Sequence, residues 1–387
     1  MNTSLRIKFG GLLALVICWC VFMVYLVSYL EWMPPLPLLQ QFQNSGPSDY
    51  HMQESKPLLL PKLAKNDIFP ETFHQEYLKH KILTTTIKSL AAATPLSPVV
   101  RVIVTGDSLT IGGLVALINS ILSNTKSHVK FYIVITEEEL PHLKTWIHST
   151  KLHTMDYEIH TVPLSGNKAA AHLRKVKMEM NLYFPNLEGK VIYMDNDIIV
   201  QGDIMELYAV KIQPNTYGAF AQDCSSSSAR AGGAMGRPRY ASHINLHHSH
   251  ILDLDIDGSA CPFATGVFVA NISEWKEKDV FERLQGWVDA HKEGPITGLN
   301  PGVDEIEAAM LIEFYGKITA LDPLWHIQHL GLGSTSRHSK QFIERAKLLH
   351  WSGHFKPWRH WSAHSEHWDR YFVPDPTLQF RPIRKRS

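Results

Sequence analysis

The pattern of hydrophobic and polar positions changes sharply near residue 99. The segment Val99–Thr105 is β-branched and almost wholly apolar, as is typical of a strand that is buried on both faces. Gly106-Asp107-Ser108 interrupts it, and apolar residues then recur at helical spacing, at Leu114, Leu117, Ile118, Ile121 and Leu122. The pattern therefore predicts a buried strand followed by a helix.

The same alternation continues along the chain. Strands are predicted at Val129–Thr136, Tyr157–Val162 and Lys190–Met194, and a helix at Ala169–Leu182. Strands that alternate with helices favour an α/β domain with a mainly parallel central sheet flanked by helices. Because ligands of such sheets bind beyond the carboxyl ends of the strands, we expect Thr105–Ser108 and Asp195 to face one crevice.

The N-terminal part has a different character. Phe9–Leu30 contains no charged residue and, as a helix, would span about 33 Å, enough to cross a bilayer. Arg6 and Lys8 precede it and Glu31 follows, so the positive-inside rule predicts a cytosolic N-terminus and a lumenal domain. A cleaved signal peptide is the alternative, but the run is longer than a usual signal core.

These patterns predict a domain organisation. Residues 1–8 form a cytosolic tail, 9–30 a transmembrane signal anchor, 31–98 a stem, 99–376 the lumenal domain and 377–387 a C-terminal tail. The stem is rich in proline and polar residues, which favours an extended spacer, with a helix predicted at Phe69–Ala93. A homodimer is compatible with the sequence and is not identified by it.

Composition and missing motifs exclude several classes. Hydrophobic residues make up 44% of the chain and charged residues 19%, as in globular proteins. Lys plus Arg number 38 and Asp plus Glu 37, so no net charge favours nucleic acid as a partner. The sequence contains no G-x-G-x-x-G after the first strand and no P-loop motif, which disfavours a dinucleotide-binding or P-loop fold.

Two features concern the lumenal chemistry of the chain. Cys224 and Cys261 lie in the predicted lumenal domain, where disulfides persist, and we expect them to pair; two buried thiols are the alternative. Asn271-Ile272-Ser273 is a candidate N-glycosylation site, which requires an exposed asparagine in the lumen.

The triplet Asp195-Asn196-Asp197 follows the predicted strand Lys190–Met194 directly. Two carboxylates two residues apart on an extended chain point the same way, and at a strand end they can jointly hold a divalent cation. A diphosphate can supply further oxygen ligands to that cation. An isolated triplet of this kind is more often a solvated turn, but its position after a buried strand favours metal binding. A phosphohydrolase also uses clustered carboxylates, but it needs a second metal and more ligands than we can place.

A second candidate segment runs from His350 to Trp358. The imidazole of His350 can complete a metal shell, Gly353 allows the backbone to approach a phosphate, and Lys356 can place an ammonium beside it. The alternative is a tryptophan-rich packing segment. His326 and His329 are interpreted as packing or surface residues.

Three blocks together resemble glycosyltransferase family 8, in particular its animal branch of glycosyltransferase 8 domain-containing proteins. They are Val191–Ile204, then Gly266–Asn271 with Glu274-Trp275-Lys276, and finally Lys347–Trp358. The resemblance implies a GT-A (nucleotide-diphospho-sugar transferase) fold, a UDP-sugar donor bound through Mn²⁺, sugar transfer with retention of configuration, and a Golgi location. It implies Asp195, Asp197 and His350 as metal ligands. It places the nucleotide sugar against Thr105, Asp107, Ser108, Asn196, Gly353 and Lys356.

Three positions depart from the family pattern. Asn181 stands where the family has arginine, and we expect Lys175 or Arg174 to supply the positive charge instead. Ala264 replaces an asparagine that faces the reacting sugar, and Ala308 falls in the segment that aligns with D-Q-D. A degenerate transferase that binds nucleotide and metal without transfer is therefore the alternative function. The sequence identifies neither the sugar nor the acceptor, which can be a glycan, protein or lipid.

Overall fold

The computed structural model describes residues 98–163, 166–224, 238–300, 302–333 and 338–383, all within the compact unit Ile87–Ser387. The strands are β1 Val100–Gly106, β2 Val129–Thr136, β3 Asp156–Val162, β4 Lys190–Met194, β5 Ile198–Val200, β6 Gly218–Gln222, β7 Phe263–Asn271, β8 Ile318–Ala320 and β9 Leu348–His350. The α-helices are α1 Ile111–Asn124, α2 Leu140–His148, α3 Gly166–Tyr183, α4 Ile204–Tyr208, α5 Tyr240–His243, α6 Ile272–Glu277, α7 Val280–Glu293, α8 Glu305–Glu313, α9 Lys340–Arg345 and α10 Ser365–Asp369.

Seven strands form the central sheet, in the order β3-β2-β1-β4-β7-β6-β8. Strands β3, β2, β1 and β4 are mutually parallel, and β6 is parallel to β8. Only β7 runs the other way among these strands, since it pairs antiparallel with both β4 and β6. The prediction of a mainly parallel sheet is therefore confirmed, although the reversed strand β7 was not predicted.

Helices cover both faces of the sheet because successive strand residues point to opposite sides. Val102 and Val104 of β1 pack in one core cluster with α1 and α2, whereas Ile103 belongs to the other cluster, which includes α3, α7 and α8. All three side chains are fully buried. The strand β1 is therefore buried on both faces, as its continuous apolar sequence predicts.

A two-stranded ribbon lies beside the central sheet and positions the site described below. Strand β5 pairs antiparallel with β9, with Ile198 opposite His350 and Val200 opposite Leu348. All six residues of the ribbon are buried. The ribbon therefore holds the chain that follows Asp197 against a segment from near the C-terminal end.

Several predictions fall outside the described residues. They are the anchor at 9–30, the stem up to residue 97 with its helix Phe69–Ala93, and the last part of the C-terminal tail, 384–387. Within the described part of the chain, no helix has the length and apolar character needed to cross a membrane.

Candidate metal and diphosphate site

The two strand ends expected to face one crevice do meet. Asp195-Asn196-Asp197 begins directly after β4, and the amide of Asp195 donates to the carbonyl of Gly266 on β7 at 2.9 Å. The Asn196 side chain donates through Nδ2 to the carbonyl of Thr105, at 3.0 Å. This hydrogen bond ties the ends of β1 and β4 together, so the acidic triplet is held by the sheet and is not a free turn.

The β5–β9 ribbon places His350 beside Asp195 and Asp197. The amide of Trp351 donates to the carbonyl of Asp197 at 3.0 Å, which extends the β5–β9 pairing to the acidic triplet. Nε2 of His350 lies 3.0 Å from Oδ1 of Asp197. Asp195, Asp197 and His350 each offer a ligand atom, and these atoms lie within 4.8 Å of one another. The three predicted ligands therefore converge.

Asp197 is the most enclosed member of this group, with 4% of its surface exposed. Oδ1 accepts from His350, and Oδ2 accepts a short hydrogen bond from the ammonium of Lys356. Burial alone raises the pKa of the Asp197 carboxyl, but the charges and hydrogen bonds of His350 and Lys356 outweigh it and hold that pKa well below its ordinary range. Asp197 is therefore an anion at neutral pH, as a metal ligand must be.

The residues fit a divalent cation such as Mn²⁺. Two carboxylates and one imidazole are ligands that such an ion accepts. Gly266 keeps the space among them open, since a Cβ there would lie 2.6 Å from Cε1 of His350 and 2.7 Å from Oδ2 of Asp195. Any larger residue at position 266 would therefore close the space between two of the three ligands.

His326 supports this group, and its interpretation as a packing or surface residue was incomplete. It is 2% exposed, and its Nε2 lies 2.8 Å from Nδ1 of His350. Burial, together with the neighbouring His350 and His329, lowers the pKa of His326 well below its ordinary value, so its imidazole is neutral. Nε2 of His350 donates to Asp197; with a metal at Nε2 instead, Nδ1–H of His350 would donate to Nε2 of His326. The sequence gives no signal for this pairing.

We expect His326→Leu to weaken binding of Mn²⁺ by about 10- to 100-fold, because supporting partners of metal ligands have effects of that size. His326→Gln should retain most of the affinity, since its side-chain oxygen can accept from His350. The measurement is isothermal titration with Mn²⁺, with thermal unfolding as a check of the fold. Equal affinities of the Leu and Gln variants would show that His326 only fills space.

Gly353 and Lys356 lie on the loop that follows β9. Gly353 has φ of +115°, and a Cβ there would lie 2.5 Å from the carbonyl oxygen of Gly331. Glycine is therefore required at this position. The loop carries the ammonium of Lys356 to Asp197, which places a mobile cation at the edge of the metal group where a diphosphate would extend.

The predicted nucleotide contacts at the exit of β1 are placed as follows. Thr105 is buried, Ser108 is exposed, and Asp107 is half-buried. Oδ1 of Asp107 accepts from the amide of Leu109 at 3.0 Å and from the hydroxyl of Thr110 at 2.8 Å. Asp107 therefore organises the turn into α1, and Ser108 is the member of this group most open to a ligand.

The structure corrects the expected source of positive charge. Lys177, which is 8% exposed, places Nζ 3.6 Å from Oδ1 of Asp195. Arg174 instead pairs with Asp304 at 2.9 Å, and the charge of Lys175 acts on Asp289. Residues two apart on a helix point about 200° apart, so Lys175 and Lys177 lie on opposite sides of α3.

The departures from the family pattern have unequal consequences. Ala308 is fully buried in the core, directly after Glu307. Ala264 is buried on β7 two residues before Gly266, on the same face of the strand, so this loss of an amide is at the site. Asn181 is half-buried, and its Oδ1 finds no hydrogen-bond partner among the described residues.

Two further acidic residues were missed by sequence reasoning. Burial raises the pKa of the Glu307 carboxyl to about 8, with Lys177 opposing this shift and Asp304, Asp223 and Asp195 adding to it. Asp223 follows β6 and accepts from Nε2 of His329 at 2.7 Å. At neutral pH Glu307 can therefore donate a hydrogen bond near Asp195, a capacity that an ionised carboxylate lacks.

The predicted disulfide and the candidate glycosylation site differ in outcome. Cys224 and Cys261 form a disulfide with their Cα atoms 5.6 Å apart, the pairing expected from the sequence. Asn271, the candidate glycosylation site, is half-buried. Its Nδ2 donates to Oε1 of Glu274 at 2.8 Å, and its Oδ1 is buried. The hydroxyl of Ser273 accepts from the amide of Gly189 at 2.9 Å, so the acceptor triplet is part of the fold.

Comparison with known proteins identifies the family of the chain. The sequence profile of glycosyl transferase family 8 matches residues 72–362. Glycosyltransferase 8 domain-containing protein 1 of Xenopus tropicalis is 38% identical over 74% of this chain and 81% of its own length. Glycosyltransferase 8 domain-containing protein 2 of Mus musculus is 36% identical over 73% of this chain and 84% of its own length.

Solved structures show the same fold at low sequence identity. The bifunctional glycosyltransferase WbbM has a TM-score of 0.52 and is 15% identical, over 73% of this chain and 51% of its own. The galactosyltransferase LgtC, in complex with donor and acceptor sugar analogs, has a TM-score of 0.50 and is 14% identical, over 71% of this chain and 98% of its own. The fold is thus of the GT-A type, and the chain belongs to glycosyltransferase family 8 and is a glycosyltransferase.

Proposed function

We propose that this glycosyltransferase moves a hexosyl-type sugar from a UDP-sugar donor to an acceptor, with retention of configuration and in dependence on Mn²⁺. The observation that carries the proposal is the convergence of Asp195, Asp197 and His350 beside the ammonium of Lys356. Two acidic residues, an imidazole and a lysine at one strand end suit a cation together with a diphosphate.

The residues have separable tasks in this proposal. Asp195, Asp197 and His350 hold the Mn²⁺, which when bound offsets the negative charge that develops on the departing diphosphate. Lys356 moves from Asp197 toward the diphosphate, and Gly353 lets the backbone approach it. Lys177 orients Asp195 at the donor side of the site through their ion pair. Attack of the acceptor hydroxyl on the same face as the leaving group accounts for retention without a protein nucleophile.

The cellular setting is part of the proposal. The uncharged run Phe9–Leu30 supports a single-pass type II anchor, with the catalytic domain in the Golgi lumen. The Cys224–Cys261 disulfide supports the same side of the membrane, because disulfides persist in oxidising compartments.

A donor screen tests the function. The full-length chain in detergent is stripped of metal with EDTA and assayed for UDP release from a panel of UDP-hexoses and UDP-pentoses, with and without added Mn²⁺. We expect release from at least one donor, restored by Mn²⁺ and absent without it. Metal-independent release would contradict the proposed role of the acidic pair.

The same screen addresses the degenerate alternative. Ala264 lies at the site and removes a contact to the sugar, whereas Lys177 and Glu307 add polar groups near Asp195. The polar side chains of Lys177 and Glu307 favour a catalytically active site with an altered preference for the donor sugar. Tight binding of UDP with Mn²⁺, combined with no turnover of any donor, would support the binding-protein alternative.

A further inference from the structure

A second group of metal-ligating side chains lies on the C-terminal segment. His364, Glu366 and His367 each offer one ligand atom, and these atoms lie within 4.8 Å of one another. His364 and His367 are buried, and Glu366 is exposed. Two imidazoles and one carboxylate are the protein ligands of some three-ligand zinc sites. Here the three side chains lie within four consecutive residues.

Gln201 fixes the protonation of His367. The side-chain amide of Gln201 donates through Nε2 to the carbonyls of Ile343 and Ala346, at 2.9 Å and 2.8 Å. Its Oε1 must therefore be the acceptor at the 3.0 Å contact with Nδ1 of His367. Nδ1 then carries the proton, and Nε2 presents a lone pair. Metal-binding histidines are oriented in this way, by a carbonyl oxygen on the nitrogen that does not bind the metal.

The surroundings hold this segment in place. Trp368, which follows His367 directly, is fully buried and stacks on Phe372. The two imidazoles are themselves buried, so the side chains are anchored close to the positions in which they would bind a metal.

We propose that His364, Glu366 and His367 form a zinc-binding site, separate from the site at Asp197, at the start of α10. Zn²⁺ is favoured because it accepts two imidazoles and a carboxylate in four-coordinate geometry, with water as the remaining ligand. Its ligands would lie roughly 3–3.5 Å apart. The exposed side chain of Glu366 can make the required adjustment.

The site is expected to stabilise the fold and not to take part in sugar transfer. Gln201 follows β5 directly, and β5 begins one residue after Asp197. A metal bound at His367 would thus lie on α10, and His367 would keep its hydrogen bond to Gln201 at the far end of the ribbon. Zinc should raise the thermal unfolding temperature of the protein, and it should not substitute for Mn²⁺ in turnover.

The test uses the full-length chain in detergent, with Asp197→Asn to weaken the first site. After EDTA treatment, Zn²⁺ is titrated in competition with a chromogenic chelator, and Co²⁺ is used as a spectroscopic probe of four-coordinate geometry. We expect one zinc per chain. Glu366→Gln should lower the zinc affinity at least about tenfold, and because Glu366 is exposed this variant should fold normally.

Two further variants complete the experiment. His367→Gln should abolish zinc binding, whereas His360→Ala, which removes an exposed histidine nearby, should leave it unchanged. The proposal is overturned if the Asp197→Asn protein binds no zinc at micromolar concentrations. It is also overturned if Glu366→Gln and His367→Gln both bind zinc as tightly as their parent.

Discussion

Asp197→Ala is expected to abolish Mn²⁺-dependent release of UDP, with a loss of at least about 10²- to 10³-fold in turnover. Asp197 accepts from both His350 and Lys356, so its removal deletes a metal ligand and also leaves two donors without their shared acceptor. The measurement is UDP release at saturating donor over a range of Mn²⁺ concentrations. Excess Mn²⁺ should not restore the activity.

Stability must be measured beside activity for this variant. Removing one partner of a buried ion pair commonly costs about 3–5 kcal/mol of folding free energy. Asp197→Asn keeps the shape and a hydrogen-bond acceptor but not the charge, so it should fold better than the alanine variant and be similarly inactive. Asp253→Asn, which removes an exposed carboxylate, is the control and should behave as wild type. Normal turnover in a folded Asp197→Asn protein would refute the metal site.

Lys356→Met is expected to have opposite effects on metal binding and on catalysis. Without nucleotide, the ammonium of Lys356 competes with a cation for Oδ2 of Asp197, so its removal should raise the affinity for Mn²⁺ by at least about threefold. Turnover should nevertheless fall by about 10²- to 10³-fold, because the departing diphosphate loses a stabilising charge. Mn²⁺ titration and steady-state kinetics measure the two effects separately.

A matched lysine provides the control for this second variant. Lys347 lies on the same C-terminal segment, but its Nζ pairs with Glu206 at 2.6 Å, away from the acidic pair. Lys347→Met should change neither the affinity for Mn²⁺ nor the turnover. If Lys356→Met weakened Mn²⁺ binding instead, the lysine would be part of the structural support of the site and not a competitor for Asp197.

The parallel half of the sheet could be predicted because its strands are buried on both faces. β2 and β4 have the predicted bounds, β1 is shifted by one residue at both ends, and β3 begins one residue earlier than predicted. The short strands β5 and β9 could not be found in this way. A strand of three residues carries no measurable period, and the pairing of these two strands joins positions about 150 residues apart in sequence. The reversed direction of β7 depends on the same kind of long-range pairing.

Some residues of the candidate site could be predicted from the sequence, and others could not. The acidic triplet follows a strongly apolar strand, so its position at a strand end could be inferred from the chain alone. Lys177 was missed because predicting a helix for this segment does not show which of its residues face the site. The helix α3 also contains a residue with non-helical backbone angles, Glu179. His326 and Gln201 act through partners that are distant in sequence, and no local pattern reveals such pairs.

The contact between Lys356 and Asp197 has a consequence for biosynthesis. A buried carboxylate usually opposes folding unless a counter-charge is available, and here the same chain provides one. The newly made domain can therefore reach its final shape before the proposed Mn²⁺ binds. Metal supply would then limit how much of the protein is active at a given moment, without limiting how much of it survives quality control.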